Sequence, residues 1–282
     1  MLGLSPAALF TIHRGQRGTT GLSPRIWALL FDSILSPDGG NDDPIQFDHF
    51  KNFSAIAPAI AGAVAGASGG YVSYQDTATT TSSIQQSSSL DEGVIDLLTG
   101  ATSHHEVSIQ ACGGTGCNWK LPSARGGNIR AFEARVKLPA ATSQGVFVGL
   151  AAPGSAATNF MVDTTMALKD ANLIGFHIPL GATNTIRPVF RKSGVAVNDS
   201  IGSVKTFTAG DWVKLGFIYN SAAQASEAFQ FFVDNVKVAV LSQAEVDSIL
   251  PVNAGLAPIL SVKTLGAVAS TLSCDWMGVG RA

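Results

Sequence analysis

From Tyr71 to the C-terminus the chain is a succession of short runs rich in Val, Ile, Phe and Thr, parted by Gly, Ser, Asn and Pro clusters. A break roughly every ten residues leaves room for strands and tight connections and for little else, so it predicts an all-β sandwich or barrel. Residues 105–111 (HEVSIQA) set Val107, Ile109 and Ala111 on one face and Glu106, Ser108 and Gln110 on the other. Residues 129–138 (IRAFEARVKL) alternate in the same way, Ile129, Ala131, Glu133 and Arg135 opposing Arg130, Phe132, Ala134, Val136 and Leu138. The run 145–151 (GVFVGLA) is apolar on both faces, as suits a strand inside a core. Further strands are expected at 93–99, 173–179, 186–192, 212–220 and 270–279, and 229–241 reads as a hairpin turned at Asp234-Asn235. Only 243–250 (QAEVDSIL) has a helical pattern, and no fixed-period repeat points to a propeller or solenoid.

Residues 1–69 lack this rhythm and read as an extended N-terminal arm, with a short helix around Ile26–Leu35. The apolar run 53–67 (FSAIAPAIAGAVAGA) is shorter than the about 20 residues that span a bilayer and contains Pro58, so it reads as a buried or subunit-contacting segment. Met1–Phe10 carries no basic residue ahead of its apolar stretch, and a secretory signal is not expected. Charged residues make up only 13%, and 18 basic against 20 acidic side chains give a formal charge of −2. That shortage argues against nucleic-acid binding by bulk charge, against a disordered tail and against a coiled coil. A surface of Ser, Thr, Gly, Ala and Asn suits a subunit covered by neighbours.

The second half carries a family likeness. Trp212-Val213-Lys214-Leu215-Gly216-Phe217, the hairpin Phe232-Val233-Asp234-Asn235-Val236 and the closing Leu272-Ser273-Cys274-Asp275-Trp276-Met277-Gly278-Val279 resemble concanavalin A-like, laminin-G-like jelly rolls. Phe132–Val136 followed by Gly145–Leu150 is similar to their central hairpin. Within that group, Tyr71–Asp76, Glu92–Leu97, Leu173–Ile178 and the Trp212 block look like lectin-fold structural proteins of tailed bacteriophages. The resemblance covers residues 70–282 and implies a jelly-roll β-sandwich carrying the N-terminal arm.

Chemistry is sparse. Glycosidases on this fold need two carboxyl groups about 5–10 Å apart, usually from acids alternating on one concave strand. Glu133, Asp234 and Asp275 each stand alone, and Asp275 reads as a backbone-bonding residue at a strand edge. His104 and His105 are adjacent and point to opposite faces. Cys112 and Cys117 in CGGTGC could form a zinc half-site or a local disulfide, though free thiols are the plainer reading; Cys274 reads as a small buried hydrophobe. Asn159, Asp163, Asp170 and Asn172 form the only plausible calcium set, and solvated loop polarity explains them more simply. No nucleophile triad and no phosphate loop is present, and no cofactor or metal is expected.

The resemblance therefore implies a non-enzymatic virion protein, a capsid decoration or head-fibre subunit made in the host cytoplasm. Its partners would be a major capsid protein or other virion subunits and further copies of itself, a trimer being favoured, without nucleic acid or membrane. Arg14, Arg17, Arg25 and Trp27 are the expected capsid contacts of the arm. The alternatives are a glycan-binding adhesin or receptor-binding module, using Trp119 and Tyr219, and a diverged glycoside hydrolase.

Overall fold

The computed structural model describes residues 22–27, 45–48, 50, 62–67, 71–76, 82–87, 93–111, 119–122, 128–181 and 183–281. Its strands are β1 (Ile45–Asp48), β2 (Gly62–Ala67), β3 (Tyr71–Gln75), β4 (Ser83–Gln86), β5 (Ile95–Leu98), β6 (Glu106–Gln110), β7 (Ile129–Lys137) and β8 (Gln144–Ala151). They continue as β9 (Leu173–Ile178), β10 (Thr185–Arg191), β11 (Lys205–Thr206), β12 (Trp212–Asn220), β13 (Phe229–Val233), β14 (Val236–Leu241), β15 (Ala257–Thr264) and β16 (Thr271–Arg281). One sheet, sheet I, runs β14-β13-β12-β7-β16-β5-β4, with β1 added along β16; the other, sheet II, runs β11-β10-β9-β8-β15-β6-β3-β2. Every pairing is antiparallel, and the two sheets face each other across one large core, the all-β sandwich that the strand rhythm predicts.

Alternation decides which side chains enter that core. Phe132, Ala134 and Val136 of β7 meet Val213, Leu215, Phe217 and Tyr219 of β12 there, opposite Val146, Val148 and Leu150 of β8 and Ile174, Phe176 and Ile178 of β9. Aromatic rings bind the centre together. Phe217 stacks on Phe132 at 5.1 Å and on Phe229 at 5.3 Å, and Phe231 meets Phe176 edge-on at 5.7 Å. Such contacts add to the large apolar area that each ring removes from water.

The local chemistry agrees with the sequence. Asp234 and Asn235 both take positive φ, 49° and 64°, which is the turn that matches strand twist in a two-residue hairpin. The helix Gln243–Ile249 begins in a reciprocal cap between Ser242 and Glu245. Near residue 26 only 24–27 are helical among the described residues, with Pro24 in the first turn and the Ser23 carbonyl accepting from the Ile26 and Trp27 amides. Cys274 is fully buried, as its apolar strand suggests.

The described parts of residues 1–69 are built onto the sandwich. β1 extends along Met277–Gly280 of β16, β2 adds an outer strand beside β3, and residues 22–27 sit on the outside of sheet I. The segment 62–67 of the apolar run is thus a strand, and no helix among the described residues is long and apolar enough to cross a membrane.

Phe217→Ala should cost about 3–5 kcal/mol, because it empties the middle of the aromatic cluster. In a thermal melt this appears as a fall of roughly 2–4 °C per kcal/mol, while Val236→Ala, at a site 59% exposed, stays within about 0.5 kcal/mol of the parent. Equal losses from the two would refute this assignment of the core.

Candidate functional site

Sheets of a sandwich have outer as well as inner faces, and on this fold the outer faces are where chemistry would sit. On sheet II the outward residues are Tyr74 of β3, Glu106, Ser108 and Gln110 of β6, Ser261 and Lys263 of β15, Phe147 of β8, and Leu173, Gly175 and His177 of β9. The connection 152–172 lies over this face and seals it. Phe160, Met161, Met166 and Leu168 from the connection pack with Phe147, Leu173, Val189 and Ile259 into a second apolar cluster.

Polar side chains of the sheet hold the connection down. Glu106 is 1% exposed and accepts four hydrogen bonds: from the Phe160 amide at 2.7 Å, the Ser261 hydroxyl at 2.9 Å, the Met161 amide at 3.0 Å and Lys263 Nζ at 3.3 Å. Lys263 is fully buried and also donates to the Met161 carbonyl at 3.0 Å and to Asp163 at 2.7 Å. Burial pushes the Glu106 carboxyl up, and Lys263 with the two loop amides opposes that push. The Lys263 hydrogen bond holds the largely exposed Asp163 carboxyl down. Gln110 donates to the carbonyls of Ala151 and Ala152 and accepts from the Ala156 amide.

His177 Nε2 lies 3.1 Å from the Met166 carbonyl, a contact that requires its proton on that nitrogen. Met166 itself takes φ 53°, and it seats over Gly145, where any Cβ would lie 2.8 Å from the Met166 Cβ. Burial holds the imidazole at a pKa of about 4, because it costs the charged ring its hydration.

Sheet I is sealed differently. Its outer face carries Ala131, Glu133 and Arg135 of β7, Trp212, Lys214, Gly216 and Ile218 of β12, and Phe232 of β13. Ile26 and Trp27, both fully buried, pack on Ala131, Ile218 and Phe232, with Leu22 and Ile129 at the margin. Glu133, 1% exposed, accepts from the Ser23 amide at 3.0 Å and the Trp27 indole at 2.7 Å through the same oxygen, Oε2. Burial pushes its carboxyl up, against those donors and the Lys214 charge. Further along, Arg135 lies 4.3 Å over the half-buried Trp212 ring and pairs with Asp275 at 2.6 Å.

This geometry corrects several sequence expectations. Trp119 and Tyr219 are 5% and 0% exposed and belong to the inner core, so neither offers a face to a glycan. Trp27 is spent inside its own chain on Glu133, whereas Arg25 is exposed; Arg14 and Arg17 lie outside the described residues. Asp275 pairs with Arg135 rather than with backbone. The calcium set divides: Asp163 serves Lys263, Asp170 accepts from the Gly194 amide and pairs with Arg191, and Asn172 accepts from the Ser193 amide. Two of the four acceptors are thus already matched by cations. Cys112 and Cys117 lie outside the described residues, and among those described no three His, Cys, Asp or Glu side chains gather for a metal.

Sequence reasoning placed Glu106 and Gln110 on the polar face of their strand without giving them partners, passed over Ser261 and Lys263, and set Glu133 aside as a lone acid. The usable signal was a charged residue on the second face of a strong strand, with Lys263 at the end of the strand ILSVK as a counter-charge.

No protein-family model and no curated protein matches the chain. Among solved structures it is similar to LamAcat from Zobellia galactanivorans (TM-score 0.49, 11% identity, covering 84% of this chain and 97% of that one). It is also similar to a Bacillus licheniformis β-glucanase (TM-score 0.46, 9% identity, 85% and 99% covered). A third is the metal-free carbohydrate recognition domain of Emp46p (TM-score 0.47, 8% identity, 75% and 88% covered). These are likenesses of strand arrangement, and no residue role passes from them to this chain.

Removing Lys263 alone strands a buried carboxylate. Lys263→Met should therefore cost about 3–5 kcal/mol, with faster amide exchange at Phe160 and Met161, while Glu106→Leu combined with Lys263→Met recovers much of the loss. A double variant as unstable as the sum of the two singles would rule the pairing out. The buried His177 also sets a pH dependence. Its folded pKa, about 4, lies below the ordinary value of about 6.5, so its contribution is whole above pH 6.5 and is lost as pH falls towards 4. Chemical denaturation between those limits should show up to about 3 kcal/mol of lost stability from this residue, and His177→Gln should flatten the curve there. An unchanged slope in His177→Gln would show that another group carries it.

Proposed function

We propose that the protein is a non-catalytic contact subunit built on a lectin-like sandwich. One observation carries this reading: the two carboxylates set deepest on the outer sheet faces, Glu106 and Glu133, are occupied by hydrogen bonds from the chain's own segments. No strand among those described carries two acids, and the outward residues of β9 are Leu173, Gly175 and His177. A hydrolytic pair needs one carboxyl positioned as acid and another as base or nucleophile across an open cleft. Here the connection 152–172 fills the place of a cleft with Phe160, Met161 and Met166.

The finer reading is a capsid decoration or head-fibre subunit, which self-associates and joins a major capsid protein or other virion subunits through its arm. It rests on the resemblance of residues 70–282 to lectin-fold phage structural proteins and on a surface poor in charge. Sheet edges and small side chains would then bury area between subunits, and many such contacts on one lattice would add.

A glycan-binding role is the second reading, supported by a different feature. Trp212 is half-buried on the outer face of sheet I, with the guanidinium of Arg135 over its ring and the carboxylate of Asp275 paired to that guanidinium. An aromatic ring flanked by planar hydrogen-bonding groups suits a sugar, which presents both C–H faces and hydroxyls.

Incubation with β-1,3- and mixed-linkage glucans should release no reducing ends. Turnover that disappears in Glu106→Gln or Glu133→Gln would overturn the non-catalytic reading. The arm is tested by deleting residues 1–20 only, since 22–27, 45–48 and 62–67 are built into the fold. That variant should stay folded and fail to join particles; normal incorporation would sink the virion reading. A glycan-array signal abolished by Trp212→Ala would favour the second reading in its place.

A further inference from the structure

Lys263 places an ammonium ion out of water, between two unlike carboxylates. Its side chain is 0% exposed, and its three N–H groups have three acceptors: Asp163 Oδ1 at 2.7 Å, the Met161 carbonyl at 3.0 Å and Glu106 Oε2 at 3.3 Å. Glu106 is as deeply buried as the lysine and also takes the Phe160 and Met161 amides and the Ser261 hydroxyl. Asp163 belongs to the connection 152–172, and its side chain is 55% exposed. Asn159 Nδ2 steadies it from 3.3 Å while donating to Asp76 at 3.2 Å. An amine, a carboxyl within its reach and a second, buried carboxyl touching the amine are the parts of an amide-forming site.

The resting pair is ionic, since the Lys263 hydrogen bond holds the Asp163 carboxyl down. One proton passing along that 2.7 Å bond converts the pair to a neutral amine and a carboxylic acid, the form that a water-poor setting favours. The amine lone pair then attacks Asp163 Cγ, while Nζ gives a second proton to Glu106 Oε2. Burial pushes the Glu106 carboxyl up, which fits it to take that proton. Glu106 passes it on to the Asp163 oxygen that carries the first, and that oxygen departs as water through the exposed side of Asp163. A C–N bond forms, a C–O bond breaks, both protons lost by nitrogen leave in the water, and nothing is oxidised or reduced. The N–H that remains still has the Met161 carbonyl as acceptor, and a buried charge is gone.

We propose that Lys263 and Asp163 join in an intramolecular amide bond, formed by the chain itself with Glu106 as the proton-transferring group. The bond ties β15, an interior strand of sheet II, to the connection 152–172 across 100 positions of sequence. It makes permanent a cover that hydrogen bonds and apolar contacts otherwise hold. The inference stands apart from the virion and glycan readings, and it adds no turnover, because the group modified is the chain's own.

The mass of the denatured full-length protein tests it. The chain should be lighter by one water than its sequence requires, whereas Asp163→Ala, at an exposed position, should show its full mass. Trypsin should leave a branched peptide, residues 138–169 joined to 238–281, because a linked Lys263 is no longer cut. Fragmentation should place the branch between Asp163 and Lys263, which separates it from a cyclic imide formed at Asp163 alone. In freshly purified protein, Glu106→Gln should slow the appearance of the branched peptide by about 100-fold or more. Linkage in that variant as fast as in the parent would overturn the role given to Glu106. Wild-type protein that keeps its full mass after prolonged incubation, folded and at neutral pH, overturns the proposal, as does a water loss that persists in Asp163→Ala. Neither of those readings depends on whether Glu106→Gln folds.

Discussion

A carboxylate taken out of water costs several kcal/mol unless donors surround it, and among the described residues two glutamates are sunk almost completely, one under each outer face. Glu106 and Glu133 are both 1% exposed, and each accepts hydrogen bonds from chain that does not belong to the sheet beneath it. The rest of the outer structure follows from that demand. The connection 152–172 must lie down on sheet II for the Phe160 and Met161 amides to reach Glu106, and residues 22–27 must lie down on sheet I for Ser23 and Trp27 to reach Glu133. What could have been two open faces become covered ones.

The two seals differ in kind. Under the connection the carboxylate meets a buried ammonium, so Glu106 and Lys263 neutralise each other and neither can be withdrawn without stranding its partner. Under residues 22–27 the hydrogen-bond donors are an amide and an indole, both neutral, with the Lys214 charge adding to them. The first arrangement welds a loop that begins and ends in adjacent strands. The second seats a short segment that lies 110 positions away in the chain from the acceptor it serves.

Much of the fold was legible in the sequence because period-two alternation is a local property. The strands at 129–138, 145–151, 173–179 and 212–220 appear within a residue or two of their expected limits, and Asp234-Asn235 turns where the two residues tolerate positive φ. Strands β1 and β2 were not legible. They come from stretches without sustained alternation and exist by pairing with β16 and β3, which supply the hydrogen bonds that their own pattern does not announce. Trp119 and Tyr219 were misplaced for a related reason: an aromatic residue has the same letter whether it faces a core or a ligand, and the packing of Phe217 and the helix at Gln243 decided the matter.

The sequence by itself determined that this chain folds as antiparallel sheets around an apolar core, since alternation sorts side chains onto two sides of a strand and the hydrophobic effect chooses the inner one. It could not determine what becomes of the other side. Ser23 and Glu133 are 110 positions apart and Glu106 and Lys263 are 157, and whether such residues meet depends on the order in which strands are laid into the sheets. That order, a property of the assembled topology, made Glu133 the anchor of residues 22–27 and Glu106 the anchor of the connection 152–172.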